Sequence, residues 1–222
     1  MFDRMINLIG QDKYELIKQK TVAIIGIGGV GTYSLETIIR SGIENIIIVD
    51  YDTFDITNIN RQLYATTNTI GKKKIEVAKK RALEINPKIN IITIDKKLDN
   101  SNLEELFNYK IDYIIDACDD INLKKLLITN SIKRKIKLIS SMGTGNKLDP
   151  TSFKITDIRK TSYDPIAKIL RKYIKENNIK EKVMVVSSIE KPKKTNKVNS
   201  ISYVPSIVGI YLTSYVINDI IK

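Results

Sequence analysis

A chain of 222 residues, 42% of them hydrophobic, can bury a substantial core and fits one large domain. It has no histidine and one cysteine, Cys118, which excludes an imidazole base, an internal disulfide and paired Cys-x-x-Cys zinc knuckles. Lys and Arg number 37 against 25 acids, a net charge of +12 that favours polyanionic partners, although a general bias towards lysine produces the same surplus.

Met1–Gly10 carries Asp3 and Arg4 and no apolar block, so no secretory signal is expected and a cytoplasmic protein is the default. Thr21–Gly26 is a short apolar run ending in glycines and predicts a buried strand, followed by a helix over Val30–Arg40. Asn45–Asp50 predicts a second buried strand. Lys72–Ile85 puts Ile75, Ala78, Ala82 and Ile85 on one helix face, and Asn86-Pro87 stops it. Ile89–Ile94, Ile111–Ala117 and Lys137–Ser141 predict further strands, with a helix over Ile121–Ile132 between the last two.

Beyond Met142 the pattern changes. Phe153–Ile158 predicts a strand, and Asp164-Pro165 an N-cap and first residue of a helix with a stripe at Ile166, Ile169, Leu170, Tyr173 and Ile174. Val183–Ser187 predicts another strand. Lys191–Asn199 is polar and basic and reads as a mobile loop, and Pro205–Ile221 as a last helix with a broad apolar face. Thr213, Ser214, Asn218 and Asp219 interrupt Ile207–Ile221, so no membrane association is expected. The alternation predicts an α/β fold: a Rossmann-like, mainly parallel sheet with helices on both faces. Residues 1–222 form one domain in this reading, with a nucleotide-binding core (1–142) and a C-terminal α/β extension (143–222) for substrate.

Gly26, Gly28, Gly29 and Gly31 lie between a predicted strand and helix, where main-chain N–H groups can face a phosphate. Asp50 ends the next strand, a position from which a carboxylate can accept from ribose hydroxyls. These residues point to a nucleotide without separating NAD from ATP. The connection that follows, with Asp52, Asn58, Asn60, Arg61 and Gln62, supplies a cation and amide groups that suit a triphosphate, and Lys74 can reach the same phosphates. Asp119, at the end of a central strand, would face that triphosphate and calls for a bridging cation, Mg²⁺, while Asp119 or Asp120 can also cap the following helix.

Arg4, the glycine loop, Asp50-x-Asp52, Asn58-x-Asn60-Arg61-Gln62, Gly71-x-x-Lys74 and Asp116-x-x-Asp119 together resemble the ThiF/MoeB superfamily, relatives of ubiquitin-activating enzymes, over about the first two-thirds of the chain. Gly143-x-Gly145, Asp149-Pro150, Asp157-Ile158, Thr161, Asp164-Pro165 and Arg171 resemble its tRNA threonylcarbamoyladenosine dehydratase branch, as do Val185–Glu190 with Pro192 and Tyr203-Val-Pro205 with Gly209. The missing zinc cysteines agree with that branch.

The resemblance implies ATP held by the glycines, Asp50 and Lys74, with Arg61 on the phosphates and Mg²⁺ on Asp119. It also implies a homodimer in which Arg4 crosses to the partner's nucleotide, and a sulfur-transfer partner of the cysteine desulfurase type. The implied reaction adenylates the threonyl carboxylate of a modified tRNA base beside the anticodon and cyclises it with loss of AMP. The segment between Glu190 and Tyr203 departs from the family by being short and lysine-rich. Two other readings share the nucleotide site: adenylation of the C-terminus of a ubiquitin-like or sulfur-carrier protein, and an NAD-binding oxidoreductase or sensor.

Overall fold

Each apolar run becomes a strand of one seven-stranded sheet. In the computed structural model, which describes residues 1–222, these are β1 (Thr21–Ile25), β2 (Asn45–Val49), β3 (Asn90–Ile94), β4 (Tyr113–Asp116), β5 (Lys137–Ser141), β6 (Phe153–Asp157) and β7 (Met184–Ser188). Their order is β3-β2-β1-β4-β5-β7-β6, and only β6, at the edge, runs antiparallel to its neighbour. The central strands are continuously apolar because both faces are covered. Val22 and Ile24 of β1 face one layer and Ala23 and Ile25 the other, as a two-residue period requires.

The first layer holds α3 (Gly31–Arg40), α4 (Lys74–Ile85) and α8 (Tyr203–Ile220); the second holds α5 (Glu104–Phe107), α6 (Ile121–Arg134) and α7 (Pro165–Glu176). Two helices that the sequence pattern did not reveal, α1 (Asp3–Ile9) and α2 (Gln11–Gln19), precede β1 and are divided by Gly10 at φ +88°. Their side chains Met5 and Tyr14 pack beside Gly42, just ahead of β2, which puts them at the N-terminal ends of the strands.

One expectation is corrected, and two others gain detail. The buried face of α7 is Ala167, Leu170 and Ile174, and Ile169 is 42% exposed. Asp164 sets this rotation by accepting from Ala167 N while its carboxylate is held by Lys147. The apolar face of α8 is consumed inside its own chain. Val204, Val208, Leu212 and Val216 are fully buried, and Gly209 lies so close to α3 that an added Cβ would stand 2.4 Å from Val30 O. Finally, Lys191–Asn199 has no regular structure, and its main chain is hydrogen-bonded to Asn146 at two points. Lys193 N donates to Asn146 O, Asn146 N to Asn199 O, and Asn199 N to Asn146 Oδ1, each at 2.8 Å. No helix is long and apolar enough to cross a membrane.

Candidate active site

The chain leaves β1 towards β2 on one side and, after β3, returns to β4 on the other. This reversal opens a crevice above the C-terminal ends of β1 and β4, where ligands of open α/β sheets bind. A cleft of about 1090 Å³ occupies it. Its floor is the glycine loop. Gly26 has φ +90°, and a Cβ on Gly31 would lie 1.8 Å from Gly26 O, so the turn closes only with glycine at 31.

Gly26, Gly28, Gly29, Asp50, Asp52, Asn58, Asn60, Arg61, Gln62, Lys74 and Asp119 all line the cleft. Gly31 supports the loop from behind. Arg4 is exposed on α1, at the opposite end of the sheet, and does not reach the cleft of its own chain.

The individual geometries refine the sequence reading. Asp50 is 8% exposed, and both its oxygens accept main-chain donors, Ile27 N at 2.6 Å and Asp52 N at 2.9 Å. It staples the glycine loop to the segment after β2. The freer acid is Asp52, 48% exposed, which accepts from Lys74 Nζ at 2.9 Å. Lys74 itself is buried at the first position of α4.

Arg61 donates from Nη1 to Thr57 O (2.9 Å) and Asn60 Oδ1 (3.0 Å) and pairs with no carboxylate, so its charge is uncompensated. Gln62 is 6% exposed, and its Oε1 is buried without a partner. A buried orphan acceptor lining a cleft is suited to a donor on a ligand. Asn58 closes a capping box with Asp55, which fixes the turn that carries these residues.

The two aspartates after β4 divide their work. Asp120 caps α6, accepting from Asn122 N (2.8 Å) and Leu123 N (3.1 Å). Asp119 is exposed to the cleft and makes no hydrogen bond or ion pair. No cluster of three or more His, Cys, Asp or Glu could hold a metal by protein groups alone.

Sequence reasoning missed the support beneath this turn. Asp116, fully buried, accepts from Lys124 Nζ (3.0 Å) and Ser140 Oγ (2.6 Å), and Lys124 also donates to Ser141 O (2.9 Å). Nothing local marks Lys124 among the helix's other lysines. A second buried pair, Lys147–Asp164 at 3.0 Å, braces the Gly143–Gly145 loop through Lys147 Nζ and Gly143 O. Several branch-like residues prove to be scaffolding: Asp149 and Asp157 cap short 3-10 turns, and Arg171 Nη1 holds Thr161 through its carbonyl and hydroxyl.

Cys118 donates to Asp116 Oδ1 at 3.0 Å. Burial pushes its thiol well up, and the neighbouring carboxylate adds to the shift, so little thiolate exists near neutral pH. Cys118→Ala is therefore expected to keep any activity of this cleft within about twofold of the parent, because a buried, protonated thiol is not poised for covalent chemistry. A folded but inactive variant would refute this.

The profile of the ThiF family matches residues 2–221. The tRNA threonylcarbamoyladenosine dehydratase of Bacillus subtilis is 39% identical over 240 residues, covering 100% of this chain and 94% of the relative. The enzyme of the same name from Escherichia coli is 34% identical over 176 residues, 79% of this chain and 66% of the relative. Among solved structures, E. coli tRNA N6-threonylcarbamoyladenosine dehydratase, TcdA, in complex with ATP superposes with a TM-score of 0.93 at 30% identity, covering 99% of this chain and 93% of that one. A glycine-floored cleft at the strand crossover, a match along nearly the whole sequence and a shared fold lead to one assignment: this chain belongs to the ThiF family.

Proposed function

We propose that this chain is an ATP-dependent tRNA threonylcarbamoyladenosine dehydratase, which activates the threonyl carboxylate of the modified base and closes it into a ring. The carrying observation is the cleft itself. One wall presents an uncompensated Arg61, the floor is main-chain N–H and glycine, and the far wall presents an unpartnered Asp119. Cations and amides suit a triphosphate, and a lone carboxylate facing one suits a shared divalent cation. The buried orphan Gln62 Oε1 adds an acceptor for a ribose or base donor.

The residues divide as follows in this reading. The glycine loop and Lys74 hold ATP, Asp52 orients Lys74 and offers an acceptor to the ribose, and Asp50 keeps the loop in shape. Arg61 offsets charge that develops on the phosphates. Asp119 together with phosphate oxygens would hold Mg²⁺, which when bound supplies further neutralisation of that charge.

A carboxylate is a poor electrophile because its leaving group is oxide. Attack of the carboxylate on the ATP α-phosphate expels pyrophosphate and leaves an acyl-adenylate whose leaving group is AMP. The modification's own carbamoyl group then attacks that carbonyl within the same molecule, losing a proton and expelling AMP. Such ring closures reach effective molarities of about 10⁵–10⁸ M, so positioning alone drives the step and no histidine or cysteine is needed. Residues 1–142 serve the nucleotide and 143–222 the RNA. Arg4, remote from its own cleft, fits a homodimer in which it serves the partner's site, and a cysteine desulfurase type protein is a candidate partner.

The test is nucleoside mass spectrometry of modified tRNA incubated with the protein, ATP and Mg²⁺. Loss of one water from the modified adenosine is the expected result. AMP transfer to a carrier protein with no change in the nucleoside would overturn the reading.

A further inference from the structure

The segment Lys191–Asn199 carries Lys191, Lys193, Lys194 and Lys197, and it contains no acid. All four lysines are exposed, and none forms an ion pair. Unpaired surface lysines are common, but here the main chain that carries them is anchored at Lys193 and Asn199. Asn146, at φ +59°, exchanges three hydrogen bonds with the segment, two with Asn199 and one with Lys193. Val198 seats on Gly145, where an added Cβ would lie 2.4 Å from Val198 Cγ1. At the far end Ser200 O accepts from Asn60 Nδ2 at 3.0 Å, and Asn60 is the residue that also holds Arg61. Val198, Asn199 and Ser200 line the cleft. The segment is thus a strap tied to both walls of the active site.

We propose that this strap is the docking surface for the polyribonucleotide backbone, gripping phosphates beside the reacting nucleotide and fixing their distance from Arg61. The proposal rests on the tRNA reading above and names the residues that recognise the RNA. The charge distribution selects the partner. Six residue steps from 191 to 197 span up to about 20 Å when extended. Four positive charges over that length match a chain of phosphates, whereas a carrier protein's tail brings one terminal carboxylate. Lys97, which is also without an ion pair and lines the cleft, extends the cationic rim beyond the strap. Because the anchors are main-chain and amide contacts, the strap keeps its path when the lysine charges are removed, so grip and chemistry can be separated.

The experiment uses the full chain and two measurements. Binding of unmodified tRNA transcript is followed by fluorescence anisotropy across a salt series, and dehydration of modified tRNA is followed as KM and kcat. In K191Q/K193Q/K194Q/K197Q, tRNA affinity is expected to fall at least about tenfold, and the slope of log K against log salt to shrink by about three, as loss of four phosphate contacts requires. KM for tRNA rises in parallel, kcat changes little and ATP affinity is kept. The four Lys→Arg replacements restore binding. Asn146→Gly, which tolerates the positive φ but removes the Oδ1 anchor, raises KM with all charges intact.

An unchanged salt slope in the glutamine variant, with its melting temperature preserved, overturns the strap. So does a loss confined to binding of an acidic carrier protein. If the parent fails to dehydrate modified tRNA, the function reading falls, while the anisotropy series still decides whether the strap binds RNA.

Discussion

Replacing Asp119 with alanine is expected to lower AMP release from ATP and modified tRNA by about 10²–10³-fold, the equivalent of the few kcal/mol that a bound divalent cation contributes to charge stabilisation. The reason lies in what Asp119 lacks. It sits at the turn after β4, exposed to the cleft, with no hydrogen bond and no cationic partner, while its neighbour Asp120 is fully used as the cap of α6. An unpartnered carboxylate facing bound phosphates would repel them, so its presence is favourable only if a cation comes with the nucleotide.

The adjacent residue supplies the control. Asp120→Ala removes two cap hydrogen bonds and should destabilise the fold by about 1 kcal/mol while leaving turnover per folded molecule intact. Measuring AMP release against Mg²⁺ concentration separates the two. The Asp119 variant should need more metal for its residual activity, and the Asp120 variant should follow the parent. Near-normal turnover by Asp119→Ala at ordinary Mg²⁺ would remove it from the mechanism.

How much of this is legible in the sequence depends on how local each signal is. The five core strands can be read because strands buried on both faces are continuously apolar, and β5 matches its expected range residue for residue. The glycine loop and the Asn58–Gln62 turn are legible because close approach to a ligand restricts residue type. The caps Asp120 and Asp164 are legible because an aspartate followed by a helical run, or by proline, is a short-range device.

What stays hidden in the sequence is decided at long range. Asp50 reads as a ribose acid, and only the fold shows that it also holds Ile27 N and Asp52 N. Ile169 fits the helical stripe, yet the rotation of α7 is set by Lys147, in a different segment. The 191–199 strap reads as mobile by composition because its anchors lie with Asn146 and Asn60. The helix α1 is short and buries none of its residues, and α2 buries only Tyr14 and Ile17, so periodicity has little to report.

The second large effect lies beneath the site. Asp116→Ala should destabilise the fold by about 3–5 kcal/mol, because it leaves the Lys124 ammonium buried without its counter-ion. For a chain of this size that corresponds to a drop of roughly 6–20 °C in melting temperature. Burial alone would pull the lysine's pKa down, but Asp116 outweighs it and holds Lys124 above its ordinary value, so the ammonium stays charged across the working pH range. Lys124→Met alone should cost a similar amount by stranding the carboxylate, although Ser140 Oγ still donates to it.

The double variant Asp116→Leu with Lys124→Met is the informative member of the series. Replacing both charges with apolar groups of similar volume is often neutral, so most of the stability should return, and the cycle should show strong coupling. Activity should not return with it. Lys124 Nζ also holds Ser141 O, and Asp116 holds Cys118 N and Sγ, so the pair ties the turn bearing Asp119 to the turn leading into Gly143. A double variant that is stable but turns over slowly, with ATP affinity reduced, would show that the buried pair positions the two walls of the cleft. Full recovery of both stability and turnover would make it a purely structural contact, and the alignment of Asp119 would then have to come from the glycine loop and the cap of α6.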